Sequence, residues 1–434
     1  MPQTLTIING RKLRPNTWVL FLISFFMAVT CSAAQYKVES GIQVKSQHND
    51  NIQLSTNSPR SMQGRTVAPS VNASVEGDTW EARLNTDLTF NNFNRSEYDS
   101  DDQDVTLVLN KRTEIHYFRL EANAVRDSTR TSEQDTSGIV TNSAIRRESE
   151  QVSPQWSYTI DDLNSVLFVA SVSETEYKSN RFTNYDYDSL RMDWTRVIQE
   201  NLRLTMRLNS SQYKPEERVF NYLNAFELGT RSESTSYGAQ LGADYSLSEN
   251  WSLNGFLGST QTDQEYFLSD PGDACNNPIL EQIGLRPSVC DTKDFSSSDL
   301  TADISIDWSG ERMKANFKYS IQNQPSSQGY EIEYERYSAA WKYLINRRST
   351  FDAQINYGVN QALDSSLSEI VARNNNRDFG GAKLSYNHSL TERWGLGASY
   401  QYQWQDRDGI PGDAESHTIQ IAINYSPTDL VWSR

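Results

Sequence analysis

From Arg393 to Gln405 apolar and polar residues alternate strictly. Trp394, Leu396, Ala398, Tyr400, Tyr402 and Trp404 share one face of an extended chain, and Gly395, Gly397, Ser399, Gln401, Gln403 and Gln405 share the other. Helical spacing does not sort these residues. The apolar face begins and ends in aromatics, which suits a strand crossing a membrane between two aromatic girdles. The pattern recurs. Trp80 to Phe90, Leu202 to Leu208, Leu300 to Trp308, Met313 to Ile321, Phe351 to Val359 and Tyr237 to Tyr245 alternate in the same way.

Short polar turns separate many of these runs: Glu76-Gly77-Asp78, Asn110-Lys111-Arg112, Asp161 to Asn164, Gln199-Glu200-Asn201, Ser246 to Asn250, Ser309-Gly310-Glu311, Asn346-Arg347-Arg348 and Ser389 to Glu392. Longer segments rich in Ser, Asn, Asp and Thr alternate with them: His48 to Gly64, Asn91 to Asp104, Arg126 to Arg147, Lys214 to Arg231, Thr262 to Phe295, Gln361 to Arg377 and Asp406 to Glu415. Eight hairpins, an opening strand near Gly41 to Lys45 and a closing strand at Thr418 to Tyr425 predict an all-β fold: a transmembrane antiparallel β-barrel of roughly 18 strands, within 16–18, with short periplasmic turns and long extracellular loops. Closure removes the exposed edges of so large a sheet, and a barrel this wide encloses water rather than a packed core.

The start of the chain agrees with export. Arg11, Lys12 and Arg14 precede an apolar run from Trp18 to Val29 and then Cys31-Ser32-Ala33-Ala34. This predicts a signal peptide over 1–34, cleaved before Gln35, with the barrel occupying 35–434. Use of Cys31 as a lipoprotein cysteine is disfavoured, because Val29-Thr30 lacks the small residues such a site needs. Losing the three cations takes the formal charge from −16 to −19. Acidity of this degree opposes nucleic-acid binding, which needs a basic stripe.

Chemistry is sparse. Arg119, Arg203, Arg207, Lys314, Lys318, Lys342 and Lys383 fall on lumen-facing positions and could line a path for an anionic or hydroxyl-rich substrate. Glu81, Asp87, Glu121, Asp244, Asp303, Asp307 and Asp352 share that interior, so a salt-bridged, solvated lumen is the plainer reading. Cys275 and Cys290 lie in one polar loop, and in an exported chain they are expected to form a disulfide. Asp99, Asp101, Asp102 and Asp104 are weak calcium candidates, as are Asp406, Asp408, Asp413 and Glu415; solvated loop tips are the better reading. His417 beside Ser416 and near Asp413 is the nearest approach to a catalytic group, and no spacing specifies a nucleophile. No cofactor motif is present.

The opening Tyr36 to Val44, followed by Asn49-Asp50-Asn51-Ile52-Gln53-Leu54 and then Ala68-Pro69-Ser70-Val71, resembles outer-membrane barrels encoded with bacterial exopolysaccharide systems, including the group associated with PEP-CTERM and exosortase loci. The ending Leu430-Val431-Trp432-Ser433-Arg434 is similar to members of that group. The resemblance implies a role in moving or anchoring polysaccharide at the outer membrane. Outer-membrane lipid and lipopolysaccharide, the polysaccharide itself and periplasmic or inner-membrane export components are the partners it implies. A general diffusion porin and a structural or adhesive surface barrel remain the alternatives. The end of the chain departs from the usual terminal aromatic, since Trp432 is followed by Ser433 and Arg434.

Overall fold

Alternating chains satisfy their backbone groups by pairing sideways, and here every run finds neighbours on both sides. The computed structural model describes residues 34–130, 133, 144–291, 294–363, 376–408 and 412–433. The expected signal peptide therefore lies outside the described residues, apart from Ala34, as do most of the Arg126–Arg147 and Gln361–Arg377 segments.

The first half contributes β1 (Gln35–Asn49), β2 (Met62–Glu76), β3 (Trp80–Phe93), β4 (Ser100–Arg112), β5 (His116–Ser128), β6 (Arg146–Thr159), β7 (Asn164–Tyr177), β8 (Tyr185–Gln199) and β9 (Leu202–Pro215). The second half contributes β10 (Arg218–Tyr222), β11 (Phe226–Ser246), β12 (Trp251–Ser269), β13 (Phe295–Ser309), β14 (Met313–Pro325), β15 (Glu331–Asn346), β16 (Ser349–Ala362), β17 (Arg377–Ser389), β18 (Trp394–Arg407), β19 (Ala414–Tyr425) and β20 (Leu430–Ser433). All pairings are antiparallel and join sequence neighbours, except that β9 pairs with β11 and β1 pairs with β19 and β20. The wall is a closed barrel of 18 strands. The short β10 is a side hairpin on the outer end of β11, and β20 continues β19 along the seam.

The seam explains the unusual ending. Between the pairs Ile42↔Tyr425 and Val38↔Leu430 the closing chain advances one residue more than β1. That is a one-residue bulge, and Pro427, which has no N–H to donate, sits within it. Beyond the bulge Trp432 stacks on Tyr36 with ring centroids 5.3 Å apart.

Periplasmic-side connections run from two to four residues. One differs from the sequence reading: β4 continues through Asn110–Arg112, and the turn falls at 113–115, closed by the Thr113 N–H donating to the His116 carbonyl at 2.8 Å. Polar residues at the rim of the barrel imitate a turn. The outer connections are shorter than the polar segments suggested, because strand pairing continues past the apolar band. β11 and β12 reach 21 and 19 residues, about twice the length a tilted strand needs to cross a bilayer.

The outward face carries the membrane signature. Leu241, Leu300, Ile355 and Val172 are 71, 62, 61 and 61% exposed, which water would penalise and lipid accommodates. Near the short turns aromatics pair across strands: Trp251 with Trp308 at 6.3 Å, Trp341 with Phe351 at 5.8 Å and Trp394 with Tyr425 at 4.7 Å. A second belt toward the outer end runs Tyr319, Tyr337, Tyr357, Trp404, with successive centroids 4.8, 6.0 and 6.0 Å apart. Among the described residues no helix is long and apolar enough to cross a membrane; the strands do so.

Candidate functional site: a cationic chamber beneath a crossed mouth

Among the described residues two segments fold inward at the outer end of the barrel. The first is the Asn49–Leu54 stretch. The Asn49 side chain donates to Ser416 Oγ at 2.9 Å and Thr418 Oγ1 at 2.7 Å, and the Asn51 amide donates to the Glu415 carbonyl at 2.8 Å. These bonds turn the chain over the rim, so that Ile52 packs with Met62, Phe93 and Tyr98. Leu54 adopts the left-handed φ of 43° and its carbonyl accepts from Gln405 Nε2 at 3.1 Å. The Asn and apolar positions of Asn-Asp-Asn-Ile-Gln-Leu thus have separate jobs: the amides anchor and the side chains of Ile52 and Leu54 fill. Arg130 adds a buried guanidinium over the Phe93 ring, 4.9 Å from its centroid, and burial lowers its pKa.

The second segment is the β14–β15 hairpin. Pairing of β13 with β14 ends at Ala302↔Ile321, whereas β14 stays paired with β15 out to Pro325↔Glu331. Freed from β13, the hairpin tip leans across the lumen to the opposite wall. There the Tyr213 hydroxyl donates to the Ser326 carbonyl at 2.8 Å, the Thr183 N–H donates to the Ser327 carbonyl at 2.8 Å, and Ser327 Oγ donates to Glu133 at 2.9 Å. Ser234 holds the Glu331 carboxylate at 2.8 Å. Ile332 and Tyr334 are buried against this interior, Tyr334 stacking on Phe379 with centroids 6.3 Å apart.

Below this ceiling lies a cavity of about 620 Å³ on the wall formed by β14 to β18. Lys318, Arg336, Lys383, Gln354, Asn356, Gln401 and Gln403 line it, with Leu54, Phe379 and Gln405 at its roof. Among the described residues no carboxylate lies within ion-pair distance of Lys318, Arg336 or Lys383. Cations offering donors into water beside side-chain amides can accept carboxylate, sulfate or hydroxyl oxygens.

The structure divides the expected lumen cations into two sets. Arg119 is committed to Glu121 at 2.6 Å. Arg207 is committed to Asp193 at 3.0 Å and lies over the Phe256 ring at 3.7 Å. Lys342 faces Asp352 at 3.9 Å. Arg203 and Lys314 are exposed and fall outside the cavity lining. Lys318 and Lys383 come together in the chamber. Sequence reading missed Arg336, although it sits opposite Tyr337, Ala339 and Trp341 in the β15 alternation and could have been assigned inward by parity.

Asp99, Asp101, Asp102 and Asp104, the weak calcium candidates, are each engaged with neighbouring groups. Strand β4 begins at Ser100, so Asp101 projects to the opposite face from Asp102 and Asp104. Asp101 pairs with Arg146, Asp102 accepts from Asn91 at 3.2 Å, Asp104 accepts from Asn123 at 2.9 Å, and Asp99 accepts the Phe93 N–H at 2.7 Å. No cluster of His, Cys, Asp or Glu arranged for a metal occurs among the described residues. Ser416 and His417 likewise lie on opposite faces of β19: Ser416 is buried against Asn49, and His417 Nδ1 meets the Tyr400 hydroxyl at 2.7 Å. Cys275 and Cys290 are joined, with Cα atoms 5.5 Å apart, beside the five-residue helix α1 (Pro278–Gln282).

No family model matches the sequence, and no curated protein matches it. The fold is similar to solved outer-membrane proteins. The ferric-catecholate import receptor Fiu of E. coli K12 aligns at 9% identity over 89% of this chain and 81% of that one, with a TM-score of 0.44. Pseudomonas aeruginosa OccK8 (OprE) aligns at 9% identity over 91% and 98%, with a TM-score of 0.41. Pseudomonas aeruginosa OpdK, solved with vanillate, aligns at 8% identity over 91% and 99%, with a TM-score of 0.43. Nothing about this chain's substrate follows from them.

Proposed function

We propose that the barrel is a passive outer-membrane conduit for an acidic, hydroxyl-rich solute, and that this solute is a segment of an exopolysaccharide delivered from the periplasm. The observation that carries the reading is the chamber: three cations without carboxylate partners among the described residues, set among six side-chain amides. Amides replace the hydration of sugar hydroxyls, and the cations favour a uronate or other acid group. The conduit is passive in this reading, so directional transport depends on periplasmic or inner-membrane components. A diffusion porin is the second reading. It is favoured by the β14–β15 hairpin, because a crossed mouth admits small solutes more readily than a polymer.

Anion preference is the first consequence. In a planar bilayer under a salt gradient the wild-type barrel should show a reversal potential of anion-selective sign. The triple variant Lys318→Gln, Arg336→Gln and Lys383→Gln should lower the anion-to-cation permeability ratio by about threefold or more. An unchanged ratio would remove the chamber from the permeation path.

A further inference from the structure

A second cavity lies on the outer side of the same constriction. It measures about 960 Å³ and is framed by four separate pieces of chain: the loop after β7 at Lys178–Asn184, the β10 hairpin, the disulfide-bridged loop at Pro287 and Val289, and the β14–β15 tip at Gln328–Tyr330. Its volume is at the upper end of what ligand pockets occupy. Phe182 is buried, so it shapes the wall rather than contacting a ligand broadly; Tyr222, Tyr266 and Tyr330 are partly buried and line the groove. Asn180, Gln328, Glu217 and Arg218 line the same groove.

The groove is built rather than incidental. Asn184 donates to Glu216 at 2.9 Å while its own side-chain oxygen accepts from the Tyr177 N–H at 2.7 Å, which joins the β7 loop to the β10 hairpin. The Tyr222 hydroxyl donates to the Leu285 carbonyl at 2.7 Å, which joins that hairpin to the disulfide loop. Beneath them Leu228, Ala274 and Leu280 form a small apolar core packed by Tyr222, Phe226, Cys275 and Val289. A Cβ on Gly329 would stand 3.2 Å from Thr183 Oγ1, so the hairpin tip and the β7 loop are in close contact at the floor. A disulfide and a private core hold the Tyr222 ring in place, which lowers the ordering cost of binding.

We infer that this outer groove is an oligosaccharide-binding site, taking a linear stretch of two to three sugar residues on its tyrosine rings and its amide and charged side chains. Rigid aromatic faces beside hydrogen-bonding groups suit a ligand with apolar ring faces and a rim of hydroxyls. Lys178 is paired with Glu148 and Glu176, and Arg231 with Glu233, so the groove has no surplus of unpaired cations and selects for ring faces and hydroxyls rather than for acid groups. This separates it from the cationic chamber. The inference deepens the conduit reading and rests on it for the direction of passage, because the floor of the groove is the tip of the hairpin that crosses the mouth.

The test is isothermal titration of the detergent-purified full-length barrel with maltohexaose, cellohexaose and a mannuronate hexamer. At least one neutral and the acidic hexamer should bind, and Tyr266→Ala and Asn180→Ala should each weaken that binding by about tenfold. Arg203→Gln, outside both cavities, should leave the neutral hexamer's affinity unchanged. Both groove variants lie at the surface, and unchanged heat-modified gel mobility would show that they fold. No binding by any hexamer, or binding indifferent to both groove substitutions, overturns the inference. If that happens while the triple chamber variant still lowers the anion-to-cation permeability ratio, the conduit reading survives alone. Groove binding in a barrel without anion preference leaves the site standing and removes the acidic-solute conduit.

Discussion

Removing Ser326 to Tyr330 and closing the hairpin with Asn-Gly should raise single-channel conductance by about two- to fivefold, since conductance is set by the narrowest polar section of a pore. The tip is not a passive ornament of the loop. Ser326 and Ser327 are each 2% exposed and bonded to Tyr213, Thr183 and Glu133 on the far wall, so deleting them removes a bridge across the lumen. Strand pairing of β14 with β15 starts at Pro325↔Glu331, just inside the deleted tip, which leaves the barrel wall intact. Bilayer recordings of single insertions decide the matter. Conductance equal to wild type would mean that solutes pass elsewhere.

The second large effect concerns assembly. Gly258 lies on β12, where an added Cβ would stand 2.0 Å from the Ala239 carbonyl oxygen and 2.6 Å from the Gln240 Cα. Both are backbone atoms of the neighbouring strand, so no side chain can rotate away. Gly258→Val should cost about 4 kcal/mol or more and largely abolish the folded barrel. Three residues earlier, Gly255 meets only Ile304 Cγ1 at 3.8 Å, and Gly255→Ala should fold normally. The readout is the fraction of heat-modifiable protein in outer-membrane preparations; equal fractions for the two variants would contradict the close strand approach at Gly258.

The wall was legible in the sequence because a barrel writes its register with period two. Leu300 to Trp308 and Met313 to Ile321 sort unambiguously, and their partners in the structure are the outward pairs Ala302↔Ile321 and Ile306↔Phe317. The inward-folded pieces were not legible, because a loop that packs inside a barrel obeys no period. One signal was present: Ile332 and Tyr334 are apolar at positions whose parity, counted from Trp341, assigns them to the lumen. Apolar residues on a wet face imply that something covers them. The Asn-Asp-Asn-Ile-Gln-Leu run carried a similar hint, with Ile52 and Leu54 too apolar for a solvated loop tip.

The chamber was partly legible. Alternation placed Lys318 and Lys383 inward and could have placed Arg336. It could not say which cations keep carboxylate partners, because ion pairing depends on cross-strand register. Arg207 meets Asp193 directly across β8 and β9, and one residue of slip would separate them. The carboxylates of Asp101 and Asp102 separate for a related reason: neighbours in sequence are split by the pleat once they lie in a strand.

The measurement that bears most directly on the conduit reading is deletion of this protein in its host, with surface polysaccharide, periplasmic polysaccharide and small-solute permeability measured together. The account predicts loss of surface polysaccharide with periplasmic build-up and unchanged small-solute uptake, restored by the wild-type chain and not by the Lys318, Arg336, Lys383 triple variant. Normal surface polysaccharide with reduced solute uptake would contradict export and leave a diffusion porin.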